Sequence, residues 1–156
     1  MHNSWRSVPP VNGFAALGIL LGLVAVATAA GLAWRATTGR VRSLRGDDVV
    51  QAADVGAEAF GRRATLLQFS TEFCAPCRST ARVLGALADS LGGVSHVEVD
   101  LTHRPALADR FHILQTPTTL VLDGDGTVRA RIGGTARADD VRTTLHRILG
   151  SDHVSA

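Results

Sequence analysis

The chain changes texture three times. From Phe14 to Trp34 no charged residue occurs, and nearly every position is apolar or small. As an α-helix this run is roughly 31 Å long at 1.5 Å per residue, enough to cross the hydrocarbon core of a bilayer. Residues 35–60 then mix arginines with short polar and apolar stretches. From Arg63 onward the periodicity sharpens. Thr65-Leu66-Leu67-Gln68-Phe69 is a short, nearly continuous apolar run, the pattern of a strand covered on both faces. Val83, Leu84, Leu87 and Leu91 recur at helical spacing, which predicts a helix from Cys74 to Leu91. His96-Val97-Glu98-Val99-Asp100 alternates, so Val94 to Asp100 reads as a strand. Ala106 to Phe111 reads as a short helix. Thr119-Leu120-Val121-Leu122, the turn Asp123-Gly124-Asp125-Gly126 and Val128 to Ile132 read as a hairpin. Gly133-Gly134 precede a closing helix from Asp139 to Leu149. The order βαβ followed by ββα defines an α/β domain.

These patterns divide the chain into an N-terminal tail (1–13), a transmembrane helix (14–34), a basic juxtamembrane linker (35–46), one folded domain (47–150) and a C-terminal tail (151–156) expected to be disordered. Asp47 to Phe60 is expected to form an amphipathic helix. Trp34 suits an interfacial anchor at the end of the span. A signal peptide is the rival reading, because Ala27-Thr28-Ala29 fits a small-x-small cleavage site. Against it, the apolar run exceeds a signal core of about 7–15 residues, and Arg6 is the one basic side chain ahead of the run besides the α-amino group. Gly18-Ile19-Leu20-Leu21-Gly22 matches a helix-packing motif, but in a run this rich in small residues the match is not distinctive.

Charge orients the span. Arg6 lies before it, whereas Arg35, Arg40, Arg42 and Arg45 follow it. Positive flanks stay in the cytoplasm, so the folded domain is expected there, with an extracytoplasmic domain as the alternative. The net charge is only +2, and all 16 basic residues are arginine. No basic stripe with interleaved aromatics occurs, which argues against a nucleic-acid partner.

The candidate chemistry is concentrated in Cys74-Ala75-Pro76-Cys77, which holds the only 2 cysteines. At the start of a helix, unpaired N–H groups and the helix dipole favour a thiolate and lower the pKa of Cys74 below the free value of roughly 8.5. Cys77, one turn further in, is more shielded and stays protonated. This assigns attack on a target disulfide to Cys74 and resolution of the mixed disulfide to Cys77. Pro76 suits the first helical turn, where its missing N–H costs nothing. Arg78 adds a nearby positive charge that is expected to point to solvent. A zinc half-site is the competing use of such a pair, but there is no second cysteine pair and no H-x3-5-H spacing among the histidines. An inert buried pair is the other.

Residues 47–150 resemble the thioredoxin family. The resemblance rests on the strand before Cys74, the long helix after it, the parallel strand ending at Asp100, and Thr116-Pro117-Thr118 ahead of an apolar strand at the family's usual offset from Cys77. It implies the thioredoxin fold, a central mixed sheet flanked by helices, here preceded by one transmembrane helix. It also implies a cis bond at Pro117, with the backbone of Thr116 pairing with substrate and with Phe73 and Gly133 completing the binding surface. No cofactor beyond the redox-active Cys74–Cys77 disulfide and no metal is expected. The implied partners are disulfide-containing target proteins and an electron donor the sequence does not identify.

Four departures from the family stand out. Phe73 replaces the usual Trp, keeping a hydrophobic platform but losing an N–H donor, and Ala75 replaces the usual Gly at a position that tunes the site together with Pro76 and Gln68. Gln68 stands where thioredoxins often carry a buried Asp; it can hydrogen-bond but cannot act as a base, so resolution by Cys77 is expected to be slower. His96 stands in place of the paired Lys and reads as a satisfied surface histidine. The helix at Asp47 to Phe60 is expected to replace the family's first strand and helix. Proline beside Cys77 resembles the reducing members, so reduction of protein disulfides is the expected activity. A thiol- or metal-delivery module and a disulfide oxidase or isomerase are the alternatives.

Overall fold

The computed structural model describes residues 13–37, 41–43 and 48–151. The tail expected at 1–13, apart from Gly13, half of the linker at 35–46 and the last residues of the chain lie outside the described residues. The chain divides into two units between Thr37 and Thr38.

Among its described residues the first unit is one helix, α1 (Gly13–Thr37). Its side chains from Gly13 to Ala33 are exposed on every side. A helix apolar all round needs an apolar surrounding. The stretch Gly13–Ala33 has a mean hydropathy of 2.3 and is long enough to span a membrane; a signal sequence shares these features. The Thr28 hydroxyl donates to the Val24 carbonyl at 2.8 Å, so this polar atom is satisfied within the helix itself.

The second unit contains β1 (Val41–Ser43), α2 (Ala52–Val55), β2 (Ala64–Ser70), α3 (Ala75–Ser90), β3 (Val94–Asp100), α4 (Pro105–Arg110), β4 (Thr118–Asp123), β5 (Val128–Gly133) and α5 (Ala138–Ser151). The strands form one mixed sheet in the order β1-β5-β4-β2-β3. β2 and β3 are parallel, and the other pairs are antiparallel. The parallel pair requires a crossover, which α3 supplies.

β2 is an interior strand, between β4 and β3, and is buried at every position. Its alternate side chains feed two cores. Ala64 and Leu66 pack with Val121, Ala130 and Ile132 against Leu84 and Leu87 of α3 and Val141, Leu145 and Ile148 of α5. Leu67 and Phe69 pack on the other face with Val99, Leu101, Leu120, Leu122 and Val128, joined by Leu107, Phe111 and Phe60. The Phe69 and Phe111 rings lie 5.2 Å apart, within the range of favourable aromatic pairs. Gly126 closes the β4–β5 turn with φ +82, and a Cβ there would overlap the Val50 carbonyl. Glycine alone meets both demands.

The segment before β2 differs from its expected form. Val41–Ser43, assigned to the linker, forms an edge strand antiparallel to β5. Residues 48–50 extend this edge: the Val128 N–H donates to the Asp48 carbonyl and the Val50 N–H to the Gly126 carbonyl, both at 2.9 Å. Of the helix expected from Asp47 to Phe60, only Ala52–Val55 is helical. Gly56 ends it in the left-handed conformation at φ +74. A strand therefore exists where none was anticipated. α1 runs to Thr37, three residues past its expected end, and the remaining elements fall within a residue or two of their expected bounds.

Candidate active site

The two cysteines sit where β2 hands over to α3. Cys74 is the N-cap residue of α3, and no side chain caps the helix. Ala75 and Pro76 occupy the first turn and are exposed. The Cys77 N–H donates to the Cys74 carbonyl at 3.1 Å, and the Cys74 N–H to the Thr71 carbonyl at 3.1 Å. The cysteines are joined as a disulfide, with Cα atoms 5.3 Å apart. Cys74 is 9% exposed and Cys77 2%, so the first sulfur is the more accessible. Phe73 stands out from the surface at 90% exposure.

The opposing loop carries a cis Thr116–Pro117 bond. The Thr71 and Thr116 hydroxyls meet at 3.3 Å and link this loop to the one before Cys74. The Pro117 carbonyl accepts from the Gly134 N–H at 2.7 Å, which joins the end of β5. Gly133 pairs in register with Thr118. The structure thus brings Cys74, Cys77, Thr116, Pro117 and Gly133 into one connected framework, with Phe73 on the adjoining surface.

Gln115 was not anticipated. A Cβ at Gly133 would come within 2.5 Å of its Nε2, so the Gln115 amide lies over the glycine. Arg131 of β5 was also missed; it donates to the Phe111 carbonyl at 2.6 Å and the His112 carbonyl at 3.1 Å. Both contacts depend on strand register, which residue spacing alone does not reveal.

On the β3 side of the disulfide an open cleft of about 550 Å³ is lined by Ser70, Thr71, Glu72, Cys74, Cys77, Arg78, Glu98 and Asp100. Arg78 is exposed, as expected, and contributes one wall. Asp100 accepts from Thr102 Oγ1 at 2.6 Å and Thr102 N at 2.8 Å. These bonds hold its carboxyl below the usual carboxylate range.

Below the cysteines lies Gln68, fully buried. Its Nε2 donates to the Cys77 carbonyl at 3.0 Å, and its Oε1 lies 3.1 Å from His96 Nε2. His96 is therefore half-buried and bonded to Gln68, which corrects the surface role expected for it. Burial lowers its pKa below the usual 6.5, partly opposed by the Glu98 charge. Among the described residues, no group of three or more His, Cys, Asp or Glu is placed to share a metal ion.

A dithiol pair able to close a disulfide at a helix start, on a mixed sheet flanked by helices, defines a thiol–disulfide oxidoreductase. The thioredoxin family model matches residues 54–147. The chain belongs to the thioredoxin family. A thioredoxin from Streptomyces clavuligerus is 28% identical over 92 residues, covering 59% of this chain and 82% of its own. A rice H-type thioredoxin (Oryza sativa subsp. indica) is 28% identical over 94 residues, covering 60% and 75%. The thiol:disulfide interchange protein DsbD of Ralstonia nicotianae is 31% identical over 113 residues, covering 67% of this chain but 18% of its own. A solved malarial protein superposes with a TM-score of 0.51 at 23% identity, covering 56% of this chain and 98% of that one, a likeness of fold.

Proposed function

We propose that the chain is a membrane-tethered protein-disulfide reductase. The observation that carries this reading is the Cys74–Cys77 pair at the start of α3, linked through Thr71 and Thr116 to the cis Pro117 loop. Cys74 is the attacking sulfur, being the more exposed and standing at the helix N-terminus, where a thiolate is favoured. Cys77 resolves the mixed disulfide. Phe73, Thr116, Pro117 and Gly133 form the surface that receives an extended segment of a disulfide-containing target. Ala75, Pro76 and Gln68 tune the pair. A separate donor returns the electrons.

α1 is the tether, supported by its length and uniform apolarity. Residues 14–34 span the bilayer, 35–46 connect, and 47–150 together with the edge strand at 41–43 form the catalytic domain, on the cytoplasmic side that the arginine-rich flank favours. Likeness to part of a thiol:disulfide interchange protein supports the exchange chemistry.

The full chain in detergent should reduce insulin with dithiothreitol as donor. Cys74→Ser should abolish this activity, whereas Cys77→Ser should accumulate a mixed disulfide with insulin. Metal retention without reduction would favour a delivery role, and net oxidation of a reduced target would reverse the direction proposed.

A further inference from the structure

Gln68 is a junction between the resolving cysteine and an acidic side chain. Its amide nitrogen also donates to Glu98 Oε1, at 3.4 Å, in addition to the Cys77 carbonyl. Two acceptors around Nε2 fix the orientation of the amide, and Oε1 then faces His96, whose Nε2 must carry a hydrogen. Gln68 and Glu98 are register partners across the parallel pair β2 and β3. The side chain that cannot move a proton is thus bonded to one that can.

Three carboxylates line the cleft shared with Cys77: Glu72, Glu98 and Asp100. They are not equivalent. Asp100 is engaged by both the hydroxyl and the amide of Thr102, bonds that hold it ionised and make it a poor proton acceptor. Glu72 sits on the loop before Cys74, placed by its backbone N–H on Thr102 Oγ1 at 2.9 Å. Glu98 is tied to the backbone of Cys77 through a single intervening amide. Its carboxylate borders an open, polar cleft that admits water. The titratable and charged groups around it are His96 and Asp100 on its own strand, Arg78 on α3 and Glu72 on the loop; β2 presents the neutral Gln68.

We propose that Glu98 is the positioning residue for resolution, orienting a cleft water that carries the Cys77 proton. This rests on the assignment of Cys77 as the resolving thiol. In the mixed disulfide, the Cys77 S–H gives its proton to the water, which passes one to the Glu98 carboxylate. The Cys77 thiolate attacks Cys74 Sγ, and the Cys74–Cys77 bond forms as the bond from Cys74 to the target sulfur breaks. The target sulfur leaves with the electron pair and takes up the proton that Glu98 returns through the water. The target cysteine is reduced, the protein pair is oxidised, and Glu98 ends as it began. The carboxylate has in effect moved one strand across from position 68, onto β3.

The test uses the full chain in detergent, reduced beforehand, with a symmetrical disulfide of a fluorescent peptide, which frees one peptide thiol on attack and the second on resolution, followed in single turnover from pH 5 to 9. Attack is read in the Cys77→Ser background, and complete release in the parent. Glu98→Gln should slow release about tenfold near pH 7, below the ~10²–10⁴-fold of a directly placed acid–base group. It should also flatten the rise of release with pH, leave attack unchanged in the Cys77→Ser background, and be largely rescued by Glu98→Asp. Release that keeps its parental rate and pH profile in Glu98→Gln overturns the proposal, as does equal slowing of attack and release. If the parent releases no peptide thiol at any pH, the reductase reading fails and takes this inference with it.

Discussion

Single side chains around the cysteines carry different loads. Thr80 and Thr119 are fully buried, and their hydroxyls have no hydrogen-bond partner. A buried unpaired hydroxyl costs about 1–3 kcal/mol, whereas an apolar group of the same shape does not. Thr119→Val, which keeps the β-branch, should stabilise the domain by about 1 kcal/mol in urea unfolding; clear destabilisation would show that an internal water satisfies the oxygen. His96 acts through pH. Burial makes its folded-state pKa lower than the ordinary 6.5, so in falling pH the unfolded chain takes the proton first. Its contribution to stability is intact well above pH 6.5, declines as pH drops through that value, and levels off once the folded imidazole also protonates. Asp54 and Asp100, both lowered from 3.8, lose their contributions only in a more acidic range. The melting temperature should therefore fall between pH 7.5 and 5, and His96→Gln should remove part of that fall. An identical fall in the variant would refute the assignment.

At the level of elements, the cis-proline loop is held from several directions. Thr71 meets Thr116, the Pro117 carbonyl is taken by Gly134, and Thr118 Oγ1 donates to the Gln115 carbonyl at 2.8 Å. Arg131 grips the start of the same loop at Phe111 and at His112, whose φ of 49 is left-handed. Arg131→Met keeps the stem but frees both carbonyls. It should cost about 1.5–3 kcal/mol, the worth of a hydrogen bond to a charged group, and raise amide hydrogen exchange at residues 112–116 without raising it in β2. Uniform acceleration across the sheet would argue against a local clamp. These elements were unequally legible in the sequence. Leu66 and Leu67, Leu84 and Leu87, and the alternation at 96–100 announce β2, α3 and β3, because burial imposes those periods. Val41-Arg42-Ser43 announces nothing: three residues carry no period, and their strand exists through pairing with β5. The pair Cys74 and Cys77 was legible from spacing alone. The link from Gln68 to Glu98 and His96 was not, since it follows from the register of a parallel pair joined through a long crossover.

For the whole molecule, α1 and the domain differ in how they treat apolar side chains. The span from Gly13 to Ala33 contains no charge, while the domain builds its own two cores. A reporter active on one side of the membrane only, fused after Ala156, should show activity on the cytoplasmic side. Signal only from the opposite side would move the catalytic domain, and the source of its electrons, across the membrane. Loss of α1 from the mature chain, seen by mass spectrometry, would establish cleavage in place of anchoring.

The disulfide closes a loop with a sequence separation of just 3. Chain-entropy reasoning gives so short a ring about 2 kcal/mol, well under what a long loop would supply. Meanwhile β2, one residue type after another, is sealed inside the sheet. The architecture therefore hardly leans on the bond it must repeatedly make and break. Opening it frees two thiols at the start of α3 and gives back to the unfolded chain only the small freedom that so short a ring had withheld.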